Sequence, residues 1–88
     1  MNIEEEIKRG IEKKLLMIGA NYVIKAMKQG KISKVILASN CPANFKDEIL
    51  HLGKIANNEV FESDKSNENL GMLCRKQFKI TVIGIKKA

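Results

Sequence analysis

Apolar positions along the chain fall into short alternating blocks with two different periods. Ile3, Ile7 and Ile11 recur every four residues, with Asn2 placed to cap, Glu4, Glu5 and Glu6 in the first turn and Lys13-Lys14 at the close. That pattern predicts a helix, which Gly10 weakens by about 1 kcal/mol relative to Ala. Leu15-Leu16-Met17-Ile18 is too short for a helix and reads as a buried strand ending at Gly19. Val23, Ala26 and Met27 then mark the inner face of a second helix, stopped by Gly30. Val35-Ile36-Leu37-Ala38 is a continuous apolar run, as expected of a central strand covered on both faces.

Beyond the Ser39-Asn40-Cys41-Pro42 turn, Phe45, Ile49, Leu52 and Ala56 repeat at intervals of four, three and four, the strongest helical signal in the chain. Glu59-Val60-Phe61-Glu62 reads as a short strand. Ser66 can cap a fourth helix carrying Leu70, Leu73 and Cys74, and Phe78 to Ile85 reads as the last strand, leaving Lys86-Lys87-Ala88 as a frayed end. Helix and strand thus alternate four times. This order predicts an α/β fold in which a small sheet lies between layers of helix. A chain of 88 residues has material for one core, so residues 1–88 are expected to form a single domain.

Composition narrows the picture. Hydrophobic residues make up 44% of the chain, which excludes a disordered tail, and with aromatics at 5% and no Trp the core must be aliphatic. Sixteen Lys and Arg against ten Asp and Glu give a net charge of +6, which favours polyanionic partners through release of their counterions. No stretch approaches the ~20 apolar residues that cross a bilayer, and the acidic start is unlike a signal peptide, so a cytoplasmic protein without a membrane partner is expected. Two cysteines suit a reducing compartment and are too few for a disulfide scaffold.

Candidate chemistry gathers at three junctions: Gly19 to Lys28, Ser39 to Pro42, and Arg75 to Phe78. A helix opening after Gly19 aims free N–H groups outward, and Asn21 and Lys25, four residues apart, share one face. An amide, an ammonium and a helix N-terminus together suit phosphates and the acceptor edges of purines. Lys28 follows one turn later. On spacing alone a plainer reading also holds, with Gly19 making a turn, Asn21 capping locally and the lysines solvated. Arg75-Lys76-Gln77-Phe78 sets two cations beside an aromatic ring, as a loop touching phosphate and an unstacked nucleotide would, although Phe78 can equally begin the last strand.

Catalytic readings are weaker. Cys41 before a helix-initiating Pro42 could be an activated thiol, but no Cys-x-x-Cys accompanies it, and a small half-buried cysteine explains it as well. His51 is the sole histidine and has no metal-ligand spacing around it. Asp47-Glu48 and Glu4 to Glu6 fit first turns of helices, and no phosphate-binding glycine loop occurs. No catalytic residue, metal or cofactor is therefore expected.

Taken together, Leu15 to Lys31, Val35 to Pro42 and Glu68 to Ile80 resemble the small kink-turn RNA-binding family, which includes ribosomal proteins and core proteins of guide-RNA modification particles. The most specific pieces are Gly19-Ala20-Asn21 with Lys25, Ala38-Ser39-Asn40-Cys41-Pro42, and Asn69-Leu70-Gly71 followed by Cys74-Arg75-Lys76-Gln77-Phe78-Lys79. The Asn-Cys-Pro turn and the Phe-Lys pair are most similar to the large-subunit ribosomal branch. The resemblance implies a three-layer α-β-α sandwich with a four-stranded mixed sheet, and binding to a sharply bent internal loop of ribosomal RNA where sheared guanine–adenine pairs adjoin a three-nucleotide bulge.

By that resemblance Gly19 and Asn21 approach the sheared pairs, Lys25 reaches a guanine edge or a nearby phosphate, and Lys28 adds attraction to the backbone. Asn40 faces the bulge, while Arg75, Lys76 and Phe78 form a loop beside a flipped nucleotide. Two positions depart from the family pattern: Tyr22, where the ribosomal branch usually has Gln or another polar residue, and Arg75, where it usually has Gly. The implied protein is a non-enzymatic monomer within the ribosome, beside other ribosomal proteins. Alternatives are a guide-RNA particle protein, a thiol enzyme using Cys41, and an interaction module without the RNA surface.

Overall fold

The computed structural model describes residues 3–87. Its elements run α1 (Ile3–Glu12), β1 (Leu16–Ile18), α2 (Ala20–Lys28), β2 (Ile32–Leu37), α3 (Ala43–Ala56), β3 (Glu59–Glu62), α4 (Asn67–Leu73) and β4 (Val82–Lys86). The strands form one sheet in the order β1-β4-β2-β3. β4 is antiparallel to β1 and β2, whereas β2 and β3 are parallel, so the sheet is mixed. β2 and β4 are the inner strands, which is why Val35 to Leu37 and Val82 to Ile85 are buried along an unbroken run.

Alternation along the strands builds two cores. Val35, Leu37 and Val82 face α2 and α3, packing with Val23, Ile24, Met27 and Ile49. Ile36, Ile83 and Ile85 face the other way, against Ile7 of α1 and Leu70 of α4. Three layers result, α2 and α3 over the sheet and α1 and α4 beneath it. Each fully buried aliphatic side chain contributes about 1.5–3 kcal/mol, which outweighs the unfavourable helix propensity of Gly10. Gly10 also has a reason to be there: a Cβ at this position would lie 3.0 Å from Leu16 Cδ1, so the missing side chain lets α1 sit close on β1.

Several expectations shift. The last strand does not begin at Phe78; residues 78–81 form an irregular connection, and β4 starts at Val82. Period-two alternation continues through that connection without a neighbouring strand to pair with. At the other end β4 includes Lys86, which pairs with Ile32, and the Lys87 N–H donates to the Lys31 carbonyl at 2.9 Å, so neither lysine is frayed. β2 starts three residues before Val35, at Ile32. α3 begins at Ala43, which places Asp47 and Glu48 beyond its first turn. The expected Asn2 cap and the end residue Ala88 lie outside the described residues.

Candidate nucleic-acid interface

Sheet direction decides what meets at the site. Because β1 and β2 both oppose β4, and β3 parallels β2, the ends of β1, β2 and β3 and the start of β4 lie together: Ile18 pairs with Ile83, and Leu37 with Val82 and Glu62. The Gly19 and Ser39 to Pro42 junctions therefore meet at one rim of the molecule, and the connection that carries Arg75 to Phe78 enters it through Thr81. Backbone hydrogen bonds tie it across: Gly19 N–H donates to Val82 O at 3.1 Å, Ala38 N–H to Thr81 O at 2.9 Å, and Ser39 N–H to Lys65 O at 2.8 Å.

Gly19 turns the chain from β1 into α2 at φ 109°, a conformation L side chains rarely adopt. It is the N-cap residue, has no side chain to cap with, and no acid follows in the first turn. The first intrahelical bond runs from Val23 N–H to Gly19 O, leaving the N–H groups of Ala20, Asn21 and Tyr22 without an acceptor among the described residues. The positive end of the helix dipole thus stays open. α4 differs in this respect, since Ser66 Oγ accepts from Asn69 N–H at 3.3 Å and Glu68 sits in its first turn.

Asn21 is exposed at that helix end and Lys25 is exposed one turn on, in the last turn of α2, and neither has a hydrogen-bond or ion-pair partner among the described residues. Side chains on a helix lean toward its N-terminus, so the Lys25 stem is inclined toward the rim. Lys28 does not join them. It stands about 13 Å along the helix from Gly19 at 1.5 Å per residue, and its ammonium lies 3.8 Å from Glu48 of α3. Glu48 can serve Lys28 because α3 begins a turn earlier than the carboxylate pattern suggests.

Asn40 is at the rim with its amide already engaged. Its Nδ2 donates to Asn67 Oδ1 at 3.1 Å while its Oδ1 accepts from Asn67 N–H at 2.9 Å, so it fastens the β2–α3 turn to the start of α4. Arg75, Lys76 and Phe78 occupy the connection after α4, in the opposite layer from α2. Arg75 takes φ 59°, a left-handed conformation that favours glycine, and it lines a cleft of about 210 Å³ with Lys8, Ile11, Glu12 and Leu73. Its side chain thus belongs to the α1 side. Lys76 and Phe78 share a shallow hollow with Met72, Glu68, Gln77 and Lys79, and Phe78 is 58% exposed. Lys79 is paired with Glu68 at 3.7 Å, whereas Arg75 and Lys76 have no ion-pair partner among the described residues.

The sequence reading passed over what holds this connection in place. Gly71 on α4 faces Phe78 so closely that a Cβ there would collide with the Phe78 carbonyl oxygen. An isolated glycine inside a helical pattern was the available signal. Local chemistry disfavours the thiol reading. Burial pushes the Cys41 thiol up, only partly countered by Lys46, where an activated nucleophile needs a lowered value. Its sulfur packs against the α2–α3 core and lies 3.7 Å from the Pro42 carbonyl. Cys74 is buried, and its thiol is pushed up to about 11.

Fold and site define a small α/β sandwich with a donor-rich, cation-bearing rim. The chain belongs to the Ribosomal protein L7Ae/L30e/S12e/Gadd45 family, which matches residues 1–88. Large ribosomal subunit protein eL30 of Sulfurisphaera tokodaii is 38% identical over 82 residues, covering 93% of this chain and 77% of that protein. The protein of the same name from Saccharolobus solfataricus is 35% identical over 85 residues, covering 97% and 79%. Among solved structures, a protein of unknown function from Bacillus halodurans superposes with a TM-score of 0.84 at 26% identity, covering 93% of this chain and 81% of that one.

Proposed function

We propose that this chain is an RNA-binding protein of the large ribosomal subunit, which holds an internal loop of ribosomal RNA in its kinked form. The observation that supports the reading is the open end of α2, where three N–H groups have no acceptor among the described residues, beside the exposed Asn21 and with the exposed Lys25 one turn on along the same face. The names of the eL30 relatives support the ribosomal setting. In that setting the protein works as a monomer in a cytoplasmic particle, beside other ribosomal proteins.

The mechanism is a shift of population. Free RNA exchanges between extended and kinked shapes, and a protein that prefers the kinked one makes it dominant; moving a 1:99 mixture to 99:1 requires about a 10⁴-fold preference. Amide and N–H donors read base edges that only the bent loop presents, while Lys25, Arg75 and Lys76 offset the phosphate repulsion that bending concentrates.

A doubly labelled internal loop with tandem guanine–adenine pairs beside a three-nucleotide bulge tests this by energy transfer between its arms. Adding protein is expected to raise the bent fraction. Asn21→Ala should weaken binding by about 1–3 kcal/mol, as for loss of a specific base contact. Equal affinity for the loop and for a continuous duplex of the same length would sink the reading. Sequencing of RNA crosslinked in cells separates ribosomal from guide-RNA targets.

A further inference from the structure

Four aromatic side chains occur in the chain: Tyr22, Phe45, Phe61 and Phe78. Phe45 and Phe61 are half-buried, and Phe45 packs against the α2–α3 core. Tyr22 is 71% exposed. It stands in the first turn of α2, between the exposed Asn21 and the fully buried Val23, on the helix end whose N–H groups are open. Its Cδ2 lies 3.4 Å from where a Cβ on Gly19 would be, so the ring edge rests over the one rim position that has no side chain. The hydroxyl has no hydrogen-bond partner among the described residues.

We propose that Tyr22 is a stacking platform for an unpaired RNA base, and so a specificity-determining residue of the rim. This rests on the RNA-binding reading above and adds a contact that reading does not contain. A large ring held in water at the start of a helix does little for the core, but it offers a flat π-surface beside donors and a cation. Lys25 lies three residues on, along the same flank, and has no ion-pair partner among the described residues, so it can hold the phosphate of a nucleotide whose base lies on the ring. Stacking accepts any base, since every base has a π-face. Tyr22 therefore selects for an unstacked nucleotide without selecting its identity, whereas the neighbouring Asn21 reads a base edge.

The chain has one Tyr and no Trp, so its ultraviolet emission reports Tyr22 alone. The test is titration with the internal-loop RNA and with a matched duplex, corrected for absorption with free tyrosine. The loop should quench the emission and the duplex should not. Tyr22→Ala should lower loop affinity about 5- to 100-fold with an unchanged unfolding midpoint, and Tyr22→Phe should retain affinity because the ring face, not the hydroxyl, makes the contact. Unquenched emission on tight loop binding, with Tyr22→Ala binding equally well, overturns the proposal and leaves the RNA-binding reading standing. A loss in Tyr22→Phe as large as in Tyr22→Ala overturns it in favour of a hydroxyl bond. Wild-type protein that does not prefer the loop to the duplex overturns both.

Discussion

At the scale of single residues, two lysines three positions apart on α2 have different surroundings. Lys25 is exposed with no ion-pair partner among the described residues; Lys28 lies farther along the helix and meets Glu48 at 3.8 Å. Each phosphate contact contributes roughly one unit to the slope of log affinity against log salt. Lys25→Ala is expected to lower that slope by about one, and Lys28→Ala to leave it unchanged, as measured by anisotropy of labelled RNA over a salt series. A reduced slope in Lys28→Ala would show that the Glu48 pair yields to RNA. The Asn21–Lys25 face was legible from four-residue spacing alone. The Lys28 partner was not, because Glu48 approaches from another helix and no local pattern encodes that distance.

Among elements, α4 and the connection after it show most clearly where local pattern stops being informative. Phe78, Ile80 and Val82 alternate with polar residues as a strand would, yet only Val82 has a strand to pair with. The preceding stretch is held by α4 itself: Ile80 N–H donates to Asn67 O at 3.0 Å, Lys76 N–H donates to Gly71 O at 2.9 Å, and the Phe78 carbonyl lies against Gly71. A methyl group at residue 71 has no room, and forcing extra carbon into a packed contact costs about 1–3 kcal/mol. Gly71→Ala is therefore expected to lower stability by about that amount in urea unfolding. It should also displace Lys76 and Phe78, seen as changed amide shifts over residues 75–79 with the rest of the spectrum preserved. An unperturbed spectrum would mean the backbone yields elsewhere. The helices were readable because three- and four-residue spacing is a local property; this contact joins residues 71 and 78 through tertiary packing.

Over the whole molecule, the layered order followed from four alternations of helix and strand, but the strand order β1-β4-β2-β3 depends on pairings between distant segments. That order brings the rim together and buries Cys74 in the α1–α4 layer. Burial raises the Cys74 thiol to about 11, with Lys76 opposing, so the folded state holds this proton longer than the unfolded chain does. Its contribution to stability is complete below the ordinary thiol value of 9.0 and is lost as pH rises toward about 11. The urea midpoint should fall over that window, and less so in Cys74→Ala; parallel decline in both proteins would assign the loss to other groups. A last consequence concerns the mutual grip of Asn40 and Asn67, reinforced by Ser39 and Lys65. Both connections are thus tied to each other within the protein itself. If the proposed kinked-loop binding holds, the tie assigns the rearrangement to the RNA strand, and the speed of capture should follow how often that strand folds over unaided.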